Sequence, residues 1–432
     1  MRGTHYLTRP AYALAMALAS FAAVGVVATP AQAQKKDDKK AAAKAPQPTK
    51  TFIPAYTELK TMLDAAAKRP DVIAAKAKVS ETERAYRSAR GRAAQEAARG
   101  QYDASVAALA GLLTAEKAKA DELITKTGND ADKFFAGQLT FTYGGLAVDK
   151  AMQRRGLVSM IESGNVPATE VGKYNYYAAG FAFDMKDYAT ARTALAAALA
   201  AGYTENNVEG LLADAYIADN QPAEGLKIML ASAEKTGAAT PEDLLRHGII
   251  VAYKTKSFDY ASGFAARLAA LYPSQQNWAL SIAVLRDLGK YQSQDLIDLM
   301  RLMERTKSFS EERDYVEYIQ AADPRRLPGE VLKVIGEGLA AGKLNAADPF
   351  VTDAKANASG RIAADKASFA GLERDARAAA GNAATAMAAG DTFLSYDLPA
   401  KAAEMYLIAL GKPGVDAPRV LTRLGIAQAD AG

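Results

Sequence analysis

The stretch NYYAAGFAFDMKDYATARTALAAALAAGY, from Asn175 to Tyr203, decides the fold. It reads as two short amphipathic helices hinged at Lys186-Asp187-Tyr188, and Ala179, Ala191 and Ala198 place small residues where the helices must touch. The pattern returns in LLADAYIADNQPAEGLKIMLASA and again in HGIIVAYKTKSFDYASGFAARLAALYP. Tyr188, Pro222 and Phe258 follow the three hinges, and Ala191, Gly225 and Ala261 stand three residues further on, separated by 34 and then 36 residues. A period of that length implies stacked helical hairpins, so the 432 residues need not divide into two or three domains with single cores.

Outward from this stretch the hairpin formula weakens and recovers. Gly100-Gln101-Tyr102-Asp103 followed by Ser105 repeats the hinge, and Asn129 to Gly164 supplies another pair, whose Thr-Phe-Thr-Tyr alternation is too short to be a strand. In the next repeat Trp278 opens the first helix, after Pro273 has closed the preceding one, and Gly289-Lys290-Tyr291 marks the hinge. Beyond it Asp298 and Arg301 stand where small or apolar contacts are expected, which predicts loose packing or a bend. Ser310 to Gly342 reads as a hairpin broken at Asp323-Pro324 and restarted at Leu327-Pro328. Residues 345–381 carry no repeat signature in their first part and read as an irregular insertion that ends in one charged helix. Repeat chemistry then returns in 382–432 with Gly390, Phe393, Ala402, Tyr406 and Ala409. The final LTRLGIAQADAG reads as a first helix whose mate is missing, which predicts an uncovered apolar face and an array cut short.

Small residues in mid-helix with one aromatic beside them, recurring at this period, resemble tetratricopeptide repeats, most closely over Asn175 to Tyr291 and Ala386 to Gly432. The resemblance implies an all-α right-handed superhelix of antiparallel hairpins, with N-terminal hairpins in 51–170 and repeats in 171–344. It also implies a non-catalytic scaffold whose first helices line a concave groove for a peptide or protein. Residues one turn apart on those helices are then expected to face the groove: Tyr176, Phe183 and Asp184, then Asn207 and Asp214, then Arg246, Tyr253 and Lys254, then Arg286 and Asp287. Rings beside Arg and Lys suit an extended peptide with an acidic group.

Residues 1–33 read as a secretory signal peptide: Arg2 and Arg9, an apolar run from Ala11 to Thr29, and Ala31-Gln32-Ala33 as the cleavage signal. The expected destination is the bacterial periplasm, with no membrane span in the mature chain. Residues 34–50 read as a disordered Lys/Ala/Pro linker that could touch an anionic surface weakly. That linker carries a net +4, so with Arg2 and Arg9 also set aside the formal +4 of the chain becomes −2 from Thr51 onward. A near-neutral folded part disfavours nucleic acid.

Catalytic readings are poor. There is no cysteine, and His247 is the only histidine besides His5, so neither thiol chemistry nor a two-imidazole metal site can be built after cleavage. His247 lacks a G-x-S-x-G elbow. Ser232-Ala-Glu-Lys235 and Lys235-Thr236-Gly237 share one lysine at a helix end, which matches the penicillin-binding motifs by coincidence. We expect no enzyme, no cofactor and no metal. The alternative to a protein-binding adaptor is an assembly module of the envelope that recognises glycan or a membrane complex.

Overall fold

The structure is a computed structural model that describes residues 47–378 and 380–432. The signal peptide expected at 1–33, and most of the expected linker at 34–50, lie outside the described residues. Helices account for all the regular structure, and there is no strand among the described residues. They fall into two compact units, one ending at Lys235 and one spanning Thr236–Gly432.

The first unit holds α1 (Ile53–Ala66), α2 (Pro70–Ser88), α3 (Arg92–Gly111), α4 (Thr114–Thr125), α5 (Asp130–Ala147), α6 (Lys150–Glu162), α7 (Ala168–Asp184), α8 (Tyr188–Ala200), α9 (Val208–Ala218) and α10 (Pro222–Thr236). The second holds α11 (Glu242–Lys254), α12 (Phe258–Leu271), α13 (Gln275–Leu288), α14 (Ser293–Arg305), α15 (Glu312–Ala322), α16 (Pro328–Ala340), α17 (Pro349–Arg377), α18 (Ala383–Ser395), α19 (Pro399–Leu410) and α20 (Ala417–Ala431). Within each unit most helices pack on the next in sequence, with α5 on α6, α7 on α8, α18 on α19 and α2 on α3 the most extensive pairs. The all-α expectation of consecutive helical hairpins is met.

The hinges explain why the pairs form. Lys186, Asn220, Lys256 and Asp397 all take the left-handed conformation. Two or fewer residues later a backbone N–H returns to the last turn: Asp187 N to Ala182 O at 2.9 Å, Gln221 N to Tyr216 O at 2.9 Å and Ser257 N to Ala252 O at 2.9 Å. This closes the helix end by satisfying carbonyls that would otherwise be orphaned. Asp187 then caps α8 by accepting from Thr190 N. At Gly289 the chain leaves α13 in an extended conformation instead, and a Cβ there would meet the Tyr291 ring at 2.2 Å.

Close approach needs the small residues. A Cβ on Gly248 of α11 would lie 2.8 Å from the Phe264 ring of α12, and one on Gly390 of α18 would lie 2.5 Å from the Tyr406 ring of α19. Each aromatic fills the space its glycine leaves, as dense packing demands.

The hinge expected at Gly100-Gln101-Tyr102-Asp103 does not form, since α3 runs unbroken from Arg92 to Gly111, and three further expectations about the helices change. Residues 345–381 are dominated by one continuous 29-residue helix, α17, capped by Asp348 and started by Pro349. Its first half buries Val351, Ala354 and Ala358 in the cluster around α14–α16, and its last turns bring Phe369, Leu372 and Ala376 to the cluster around α18–α20. Anchored at both ends, the helix runs through the weak Ala-Ser-Gly stretch between. Secondly, α20 is not left with a bare apolar face: Val420, Leu424 and Ala427 are buried, and Leu421 alone of its large apolar residues is exposed. Thirdly, Asp298 and Arg301 are not misfits in a loose repeat. Arg301 is only 1% exposed, donates through Nε and Nη2 to both oxygens of Glu330 and through Nη1 to Asp298 at 3.0 Å. Burial works against the Arg301 charge, but Glu330 more than compensates and holds the guanidinium well above its ordinary value.

The chain before α1 is docked at its described end. Thr49 donates from N and Oγ1 to Asp132 at 2.8 and 2.7 Å, and Gln47 O accepts from Asn129 Nδ2 at 3.2 Å, so residues 47–50 lie across the start of α5.

Candidate functional site

In the first unit the groove candidates are largely consumed by the fold. Tyr176 is 4% exposed; its ring stands between those of Tyr177 and Tyr203, and its hydroxyl donates to Asn206 O at 3.2 Å. Burial pushes its phenol up to about 12. Its expected place in a groove is therefore corrected to the core. Asp184 accepts from Lys150 Nζ at 2.7 Å and ties α7 to α6. Asn207 is the cap of α9, accepting from Gly210 N. Phe183 packs edge-on against Tyr188 at the hinge, and Asp214 is half-buried on α9.

In the second unit three candidates come together. Tyr253 of α11 and Arg286 and Asp287 of α13 line one open cleft of about 590 Å³. Arg246 does not line it and is paired with Glu242 one turn away at 2.8 Å; Lys254 is exposed beside it. The third wall was missed by the sequence reading: Arg313, Glu317 and Gln320 of α15, at i, i+4 and i+7 on the first helix of the next hairpin. Applying the one-turn rule to Ser310–Gly342 would have found them. Lys256 and Tyr291, from the hinges after α11 and α13, complete the rim.

Charges cross the cleft as a chain. Asp287 accepts from Tyr253 Oη and Arg313 Nη2, each at 3.3 Å, and Arg313 Nε donates to Glu317 at 2.6 Å. Behind them Arg286 Nη1 donates to Asp314 at 2.7 Å. Arg286 Nε lies 3.1 Å from Glu317 Oε2, close enough for an ion pair, yet the angle makes no hydrogen bond and both atoms are buried without one. Arg286 is thus held by carboxylates and is not a free anchor for an acidic ligand, as the residue pattern had implied. Arg313 is exposed on the rim but is likewise paired, with Asp287 and Glu317, whereas the exposed Lys256 meets the rim through the Tyr253 ring, its Nζ 4.7 Å from the ring centroid. Tyr291 packs edge-on to Phe258, and burial, with Asp295 adding to it, raises its phenol so that it stays a neutral donor.

The arrangement is rigid underneath. Burial would raise the Asp314 carboxyl, but Arg286 and the N–H groups of Ser310 and Glu311 bring it below the ordinary range. Asp314 also closes a capping box with Glu311, so the same carboxylate starts α15 and fixes Arg286. Of the motifs set aside in the sequence, Lys235 is paired with Glu209 at 3.1 Å and His247 is half-buried on α11.

Fold and cleft together define an all-α protein of consecutive helical hairpins, with a polar, ring-walled cleft across three first helices of its second unit. No protein-family model matches the sequence, and no curated protein matches it either. Among the described residues no helix is long and apolar enough to cross a membrane.

Proposed function

We propose that this protein is a non-catalytic scaffold with tetratricopeptide-like hairpins, which binds an extended peptide or protein segment in the cleft between α11, α13 and α15. One observation carries the reading: successive first helices, starting at Glu242, Gln275 and Glu312, bring Tyr253, Asp287 and Arg313 into one connected row on a single open face. The Tyr253 ring in that row and the exposed Lys256 over it suit a segment carrying a carboxylate and an apolar side chain. The basic start, apolar run and Ala31-Gln32-Ala33 of the first 33 residues support export, and the periplasm is the compartment in which we place the scaffold.

The test is a crosslinking capture from an envelope extract with the chain from Gln34 onward, a Tyr253→Ala/Lys256→Glu variant and a Leu421→Ala control. The reading expects a species captured by the parent and the control and lost with the cleft variant. Equal capture by all three rules out the cleft, and capture by none removes support for a protein partner.

A further inference from the structure

The second unit is closed by charges between parts of the chain far apart in sequence. Arg419 of α20 donates to Asp295 of α14 at 2.8 Å. One turn on, Arg423 grips both oxygens of Asp298 at 3.0 and 3.1 Å and the Gln294 carbonyl at 2.8 Å. At the far end Arg305 of α14 pairs with Asp430. Arg423 is fully buried, and its remaining nitrogen donates to Asp391 of α18 at 2.6 Å.

Among the described residues, the apolar clusters on the two sides of this seam between α14 and α20 are distinct. Ile297, Met300 and Met303 of α14 belong to the cluster of α13–α17, whereas Val420, Leu424 and Ala427 of α20 belong to that of α18–α20. The long α17 alone contributes to both. A block of three helices is therefore tethered by one helix and held shut mainly by ions, a kind of contact whose desolvation cost rivals its attraction. Burial lifts the Asp298 carboxyl above its ordinary value even with Arg423 and Arg301 beside it, which is that cost made visible.

Arg326, in the turn between α15 and α16, faces the same seam. Its Nε and Nη2 are both buried and neither has a hydrogen-bond partner. That edge of the guanidinium takes a carboxylate bidentately in Arg301 with Glu330 and in Arg305 with Asp430. In Arg326 it takes nothing. Burial, with Arg423 and Arg301 adding to it and Asp391 only partly offsetting, brings the Arg326 guanidinium below its ordinary value.

We propose that the α18–α20 block is a clasp poised to open along this seam, and that Arg326 sets the poise by disfavouring the closed form, in which the Nε–Nη2 edge of its half-buried guanidinium is left unpaired. Opening swings α18–α20 away from α14 and α16 on α17, lets Arg326 hydrate, and leaves the apolar clusters intact.

The absence of native cysteine makes the test direct. Ser395 is 4% exposed and sits in the seam, where its Oγ accepts from Glu330 N at 3.2 Å; Ala386 is fully buried inside the block. Each is replaced by cysteine in the full chain, and thiol-labelling rates are followed over low denaturant. The clasp expects position 395 to react at least about ten-fold faster than 386, with a weaker denaturant dependence, because only local opening exposes it. Adding Arg326→Met should slow labelling at 395 roughly ten-fold, and Arg419→Ala should accelerate it, neither changing 386 comparably. Equal rates at the two positions overturn the clasp. Faster or unchanged labelling at 395 with Arg326→Met overturns the role of Arg326, as does failure of that variant to fold by circular dichroism.

Discussion

At the residue scale, the decisive side chains are those whose neighbours leave no slack. Gly248→Ala forces a methyl into the Phe264 ring, and overpacking of this kind costs about 1–3 kcal/mol. Gly336→Ala, on an exposed turn of α16 with open space around the new methyl, should instead gain up to about 1 kcal/mol from helix propensity. Chemical denaturation of the two variants checks the pair of signs. Asp314 makes a pH prediction. Its folded carboxyl lies below the unfolded value, so its contribution is complete above about pH 4 and is lost as pH falls through the lower folded value. Asp314→Asn should therefore lower stability at neutral pH and flatten the acid limb of the stability curve below about pH 4. An unchanged acid limb would remove Asp314 as its source.

At the scale of elements, the hairpins were legible because hinge, small residue and aromatic filler lie within one repeat. Lys186-Asp187-Tyr188, Gly248 with Phe264, and Gly390 with Tyr406 all act over short sequence distances, where periodicity speaks. The cleft was legible in part: Tyr253, Arg286 and Asp287 followed from the one-turn rule, whereas Arg313 and Glu317 lay in a hairpin whose repeat pattern had faded. The continuous α17 was hidden because its stability comes from the packing of its two ends, which local propensity does not report. The docking of residues 47–50 was hidden for a similar reason. Asp132 is a helical residue in sequence, yet it is fully buried and accepts from Thr49 N, Thr49 Oγ1 and Gly128 N, 83 residues separating it from its threonine. Asp132→Ala leaves those donors unpaired and should cost about 1–3 kcal/mol. Hydrogen exchange should then show lost protection confined to Thr49–Phe52 and the first turn of α5. Loss spread evenly through α1–α6 would mean that Asp132 supports the unit and not the docked segment.

At the scale of the whole chain, the two units should differ in how far a local change travels. In the first, α1 packs on α4 and α5, but from α5 onward each helix meets chiefly its neighbours in sequence, so the stability of those elements depends on nearest-neighbour interfaces. In the second, Arg423 joins α20 to α14 across 125 residues and to α18 across 32. Sequence alone could not show this, because nothing in the local pattern around Arg423 points to carboxylates 32 and 125 residues away. Arg423→Ala leaves Asp298 and Asp391 buried with one guanidinium fewer between them, and breaking a buried pair from one side costs about 3–5 kcal/mol. Gly156→Ala in the first unit is comparably disruptive, since the methyl would meet the backbone of Gly137 and Phe141 at 2.5 Å. Its damage, however, should stay in α5, α6 and the helices next to them. Hydrogen exchange by mass spectrometry on the two variants separates these expectations. Arg423→Ala should lower protection together in α14, α18 and α20 while the helices between keep more of theirs, a pattern that skips along the chain. If protection is instead lost in a continuous run from α20 backwards, the seam adds nothing to what neighbours supply, and the second unit behaves as an open array like the first.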